Sequence, residues 1–276
     1  MKRMRAIPAV GLALLIACGG GAKTNGAGAV VSSGVIKAAF QKAVAAKSAR
    51  LAMTMKIGGG DATGTITGSG VMSLAEARGV FFLDFGDIPG SPFSGRIEER
   101  FVNNIIYMKL AGLGSASKPW LKIDLKALSK LSGIDFSQLS QLQQQDPGSM
   151  LRYLEGVSGS VRRLGTERVR GVETTRYSAT IDMQKALEKL PEGARASMQK
   201  VFNRAGISSV PVQVWISGDG LLRKMTMSMD LSKMAGAAQS GAADVAIELY
   251  DYGVPVSVSA PPANRATDFA DYLRNR

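Results

Sequence analysis

The sequence predicts an α+β fold: a curved antiparallel sheet of about 9–11 strands with helices covering its concave face. Three observations carry this. Apolar and polar residues alternate with a period of two through most of the chain, as in Leu51, Met53, Met55 and Ile57. Turn signals such as Asn103-Asn104, Arg170-Gly171 and Gly218-Asp219-Gly220 separate these runs at hairpin spacing. Helical spacing replaces the alternation in three places, and a twisted sheet of this many strands curls, leaving a face to be covered.

Residues 1–17 read as a lipoprotein signal peptide. Lys2, Arg3 and Arg5 form a basic start, and the apolar stretch from Ile7 to Ala17 is shorter than the span of about 20 residues that crosses a membrane. Leu15-Ile16-Ala17-Cys18 has the form of a lipobox, and Cys18 is the one cysteine of the 276-residue sequence. The mature chain is therefore expected to begin at Cys18 and to be lipid-anchored in the cell membrane on its extracytoplasmic side. Residues 18–33, rich in Gly, Ala and small polar residues, suit a flexible tether.

A single domain is expected over residues 34–262. From Gly34 to Lys47, residues Val35, Ile36, Ala39, Phe40, Ala43 and Val44 recur at helical spacing. Strands follow at 51–57, 63–74 and 78–85, with Phe81, Leu83 and Phe85 on one face of the last. Pro89 to Ser94 reads as a loop. Arg96–Val102 and Ile105–Leu110 read as a hairpin, and Trp120–Asp124 as a short strand. Leu125–Leu131, Phe136–Leu142 and a segment opened by Asp146-Pro147 read as short helices. Strands return at Ser160–Val169 and Thr174–Asp182, and Pro191 opens a helix to about Phe202. The last strands are Val210–Ser217, Leu221–Leu231 and Val245–Tyr252. Pro261-Pro262 ends the domain, and residues 263–276 read as a tail, loose or briefly helical.

Composition narrows the function. The chain has 34 Lys and Arg against 22 Asp and Glu, a net +12. The three basic residues lost with the leader leave +9. These charges are dispersed, and on a tethered protein they suit an anionic lipid surface better than nucleic acid, which is not an expected partner. The absence of histidine removes the commonest general base, the usual zinc ligand and every Ser-His or Cys-His arrangement. No Gly-x-Ser-x-Gly elbow, phosphate loop, dinucleotide fingerprint or paired-cysteine metal motif is present. Glu98-Glu99 is the one adjacent acidic pair; on a strand its members point to opposite faces, which suits a charged edge strand rather than a catalytic couple. The reading is a non-enzyme that needs no cofactor and no metal.

Methionine is the other compositional signal, with 13 in the chain. Met225, Met227 and Met229 share one strand face, and Met53 and Met55 another. This is either ordinary core packing or, with Ile57, Phe81, Leu83 and Phe85, a plastic apolar lining suited to acyl chains.

Four segments resemble a known family. Lys118-Pro119-Trp120-Leu121-Lys122-Ile123-Asp124 resembles its PW-x-K-x-D strand. The run Leu164-Gly165-Thr166-Glu167-Arg168-Val169-Arg170-Gly171-Val172-Glu173-Thr174-Thr175-Arg176-Tyr177 resembles its central hairpin. Val214-Trp215-Ile216-Ser217-Gly218-Asp219-Gly220-Leu221-Leu222-Arg223-Lys224 resembles a second hairpin. Tyr250-Asp251-Tyr252-Gly253-Val254-Pro255-Val256 with Pro261-Pro262 resembles its C-terminal end. With the lipobox, their order resembles the LppX/LprG-type lipoproteins of actinobacteria, related in shape to the LolA and LolB lipoprotein carriers. The resemblance implies a half-barrel with a hydrophobic cavity between sheet and helices. It also implies binding and carriage or presentation of acylated lipids or glycolipids, with an envelope transporter as a candidate partner. The motif turns are expected to be scaffold. The glutamine-rich stretch Gln138 to Gln145 departs from the pattern. The alternative reading is a sensor or interaction lipoprotein without a ligand, which binds an envelope protein partner.

Overall fold

A computed structural model describes residues 28–59, 62–74, 76, 78–86, 95–109, 115–124, 157–188, 206–230 and 242–274, with scattered positions between 192 and 203. Thirteen strands form one open sheet. They are β1 (Val30–Val31), β2 (Ser48–Gly59), β3 (Ala62–Ser73), β4 (Arg78–Phe85), β5 (Gly95–Val102), β6 (Ile105–Lys109) and β7 (Trp120–Asp124). The second set is β8 (Val157–Val169), β9 (Val172–Asp182), β10 (Ser209–Ser217), β11 (Leu222–Asp230), β12 (Ala242–Tyr250) and β13 (Ala266–Asp268).

The order is β1-β8-β9-β10-β11-β12-β2-β3-β4-β5-β6-β7-β13. Two antiparallel meanders, β2 to β7 and β8 to β12, are joined where the last long strand lies against the first: Leu249 pairs with Leu51, Ile247 with Met53 and Val245 with Met55. The strand total exceeds the expected 9–11 because the additions at the two edges are too short to show a period. β1 has two residues, and β13 three. β13 pairs with β7 in parallel, within the stretch expected as a tail.

The turns form where the sequence permits left-handed backbone. Asn103 and Asn104 have φ of 53° and 65°, and Arg170 and Gly171 of 48° and 80°, the geometry that lets a two-residue connection match strand twist.

Helix α1 (Gly34–Ala45) buries Ile36, Ala39 and Ala43, with Ile36 and Ala39 among Val212, Val214, Ile216, Leu222 and Leu249. The sheet face that receives it is called the inner face below. A second helix, α2 (Met183–Glu188), follows β9 directly and buries Ala186 and Leu187; no sequence signal had marked it. A third, α3 (Phe269–Arg274), follows β13. Glu192, Arg195, Ala196, Gln199, Phe202 and Asn203 are helical, within the helix expected from Pro191. The expected loop at Pro89 to Ser94, the helices at Leu125–Leu131, Phe136–Leu142 and Asp146-Pro147, and Gln138 to Gln145 lie outside the described residues, as does Cys18.

One expectation is corrected. Glu98 and Glu99 do not sit on an edge strand: β5 is hydrogen-bonded to β4 on one side and to β6 on the other. The sheet edges are formed instead by β1 and β13.

Candidate functional site

Strand alternation divides the side chains between two faces, and the register shows that the division is continuous across the sheet. One row on the inner face runs Val214, Met225, Ile247, Met53, Gly68, Leu83 and Ile97. The next runs Val212, Met227, Val245, Met55, Ile66 and Phe85. A third joins Met229, Ala243 and Ile57, and a fourth Leu249, Leu51, Gly70 and Phe81. All nine side chains singled out in the sequence, Met53, Met55, Ile57, Phe81, Leu83, Phe85, Met225, Met227 and Met229, therefore lie on the face that receives α1. Met225, Met227 and Met229 pack directly on the core around α1. Each of the nine is half-buried rather than sealed.

Two glycines shape this face. A Cβ at Gly68 would lie 2.6 Å from the Phe81 ring and 2.9 Å from Leu83, and one at Gly70 would lie 2.5 Å from the Phe81 ring. The Phe81 ring therefore occupies the space that two missing side chains leave.

The outer face carries the motif residues, and they hold one another. The Trp215 indole N–H donates to Glu167 Oε2 at 3.0 Å, with Arg176 and Lys224 over its ring at 5.3 and 4.9 Å. Arg176 also donates to Gln213 Oε1 at 2.9 Å. Arg170 pairs with Glu248 at 2.7 Å and stacks on Tyr250 at 4.0 Å. Trp120 lies under Arg100, whose guanidinium also meets Glu98 at 2.8 Å. These contacts are scaffold: cation–π stacks and ion pairs that tie neighbouring strands.

The turn between β10 and β11 is a second tie point. Its Asp219 accepts from the Ser217 hydroxyl at 2.5 Å, the Leu221 amide at 3.2 Å and Arg223 at 3.0 Å. Lys42 of α1 donates to the Asp219 carbonyl. Tyr252 donates to the Leu222 carbonyl, and burial pushes its phenol well above the ordinary range. Desolvation pushes the Asp219 carboxyl up, but Ser217, Leu221 and Arg223 outweigh it and hold the group below its usual value. A lowered folded pKa means stability that is present above the unfolded value and lost as pH falls through the folded one. D219N is expected to cost under about 1 kcal/mol at pH 7, because the side chain is half-exposed. In thermal unfolding the gap to the parent protein should close below about pH 4.

The outer face also carries an open groove of about 930 Å³. Its lining is mixed: Thr54, Lys56, Ser178, Gln213 and Thr226 stand beside Pro211, Val212, Met227, Val245 and Ala246. Among the described residues, no cluster of His, Cys, Asp and Glu could hold a metal ion, and no helix is long and apolar enough to cross a membrane.

One inner-face residue was not recognised from the sequence. Glu99 faces inward between Phe81 of β4 and Met108 of β6, and desolvation raises its carboxyl above the usual range. The period-two pattern of β5 already placed Glu99 on the face of Ile97 and Phe101, but not which face the core would cover.

No family model matches the chain. The fold is similar to that of the lipoprotein LppX of Mycobacterium tuberculosis, with a TM-score of 0.49 and 18% identity, covering 82% of this chain and 97% of that one. It is also similar to LprF from Mycobacterium bovis, with a TM-score of 0.48 and 13% identity, covering 84% and 97%. By sequence the chain is similar to an uncharacterized 31.2 kDa protein of Streptomyces griseus, encoded between rplA and rplJ. The two are 27% identical over 254 residues, 87% of this chain and 79% of the relative.

Proposed function

We propose that the protein is a non-enzymatic lipoprotein of the cell envelope, tethered through Cys18, that binds acylated lipids or glycolipids on the inner face of its sheet and carries or presents them. The carrying observation is the continuity of the apolar rows. From Met225 through Ile247, Met53 and Gly68 to Leu83, one row crosses five strands. At a strand spacing of about 4.8 Å this is about 19 Å, more than the roughly 15 Å depth of hydrocarbon in one leaflet.

The energetics set what the site must do. At about 0.8 kcal/mol per methylene, a sixteen-carbon chain costs about 13 kcal/mol to expose to water, so a carrier has to replace the bilayer with a dry surface. Methionine suits such a surface because its unbranched, polarizable side chain adapts to chains of different shape. The stretch from Cys18 to β1 is the tether that lets the domain work at the bilayer, to which two or more acyl chains anchor it.

Native mass spectrometry of the purified protein, followed by lipid extraction, tests this. The expected result is a bound acylated species, or uptake of one from vesicles. Protein that is folded, empty and stays empty when lipids are offered would overturn the reading and favour an envelope protein as the partner.

A further inference from the structure

On β2 to β7 and β10 to β12, the paired positions of the inner face are apolar or glycine with a single exception, Glu99. Its neighbours are all apolar: Phe81 and Met108 across the strands, Ile97 and Phe101 along β5, and Leu83 and Ile106 on the diagonals. The adjacent charges on β5 offer it nothing, because Glu98 and Arg100 point to the outer face and pair there at 2.8 Å. Among the described residues no side chain donates a hydrogen bond to the Glu99 carboxyl. Among the described residues the group is thus held against hydrocarbon without a partner, an arrangement that costs stability and that a leucine would avoid.

We infer that Glu99 is the recognition point for the polar end of the bound lipid. A hydroxyl-bearing neutral lipid places its O–H on the Glu99 carboxyl while its acyl chains lie along the rows of Met53, Met55 and Met225. A lipid whose head presents only anionic phosphate brings like charge to the carboxylate and is excluded. This rests on the lipid-binding reading above and adds the class of head group to it.

Three probes separate the terms: dipalmitoylglycerol, its methyl ether, which lacks the donor, and dipalmitoyl phosphatidic acid. Each is offered in vesicles to the parent protein, E99Q and E99L, and uptake is read by native mass spectrometry. The parent is expected to prefer dipalmitoylglycerol over the ether about tenfold or more, the effect of one hydrogen bond to a charged group, and to take up phosphatidic acid least. E99L should take up the alcohol and its ether equally and admit phosphatidic acid. E99Q should keep part of the preference for the alcohol and also admit phosphatidic acid.

Equal uptake of all three probes by all three proteins overturns the assignment of Glu99 and leaves lipid binding intact. No uptake by any of them overturns lipid binding and this inference together. Thermal unfolding of the empty proteins gives an independent readout. E99L should melt about 2–4 °C above the parent, as relief of roughly 1 kcal/mol would give. A lower melting temperature would show that Glu99 serves the fold and would sink the proposal.

Discussion

Gly70→Ala is expected to lower the melting temperature by about 6–12 °C, a large stability effect for a single methyl group. The added Cβ would run into the Val80 carbonyl oxygen and lie 2.5 Å from the Phe81 ring and 2.9 Å from the Phe81 Cα. Two of these three contacts are backbone atoms of the neighbouring strand, so no rotamer change relieves them and β3 has to move away from β4. Overpacking of this kind costs about 1–3 kcal/mol and more where the backbone must yield. Gly68→Ala is the internal control. Its Cβ would meet side-chain atoms of Phe81 and Leu83, which can rotate, and a loss of about 1 kcal/mol is expected. If the two variants melt together, the close approach of β3 and β4 at Gly70 is not what fixes Phe81 on the inner face.

The second large effect concerns uptake rather than stability. Met55 and Met227 flank Val245 in one row, and the double variant M55Q/M227Q should bind acylated lipid at least thirtyfold more weakly. Each amide buried under an acyl chain without a partner costs about 1–3 kcal/mol, and the two together about 2–6. In the empty protein both amides keep access to water, since the methionines they replace are half-buried, so the melting temperature should fall only slightly. Thr54→Val with Thr226→Val, on the outer groove, is the matched control and should leave uptake unchanged. Loss of uptake in the control, with binding intact in the methionine variant, would move the site to the other face of the sheet.

Much of this was legible in the sequence because it depends on short-range rules. Alternation over Leu51, Met53, Met55 and Ile57 fixes a strand and its two faces, and Asn103-Asn104 fixes a turn, because asparagine tolerates the left-handed backbone found there. What was not legible is non-local. Nothing in residues 48–59 or 242–250 says that those two segments pair, yet that pairing brings Met53 and Met225 onto one row. The parallel edge strand Ala266–Asp268 escaped because three residues carry no period. Glu98 and Glu99 were read as lying on opposite faces of a charged edge strand, and only the register shows that β5 is internal and that Glu99 is the one facing the core, between Phe81 and Met108.

The seam between β12 and β2 bears on when this protein can fold. Each meander pairs strands that follow one another in the chain, so their loops close cheaply and early. The seam joins segments from opposite ends of the domain and has to wait for both. Until β12 arrives, β2 presents twelve residues of unpaired backbone, with Met53 and Met55 beside it, an edge primed for mispairing with other chains. During synthesis the N-terminal meander therefore emerges incomplete, and its safest course is to stay unfolded or chaperoned until the C-terminal strands have followed.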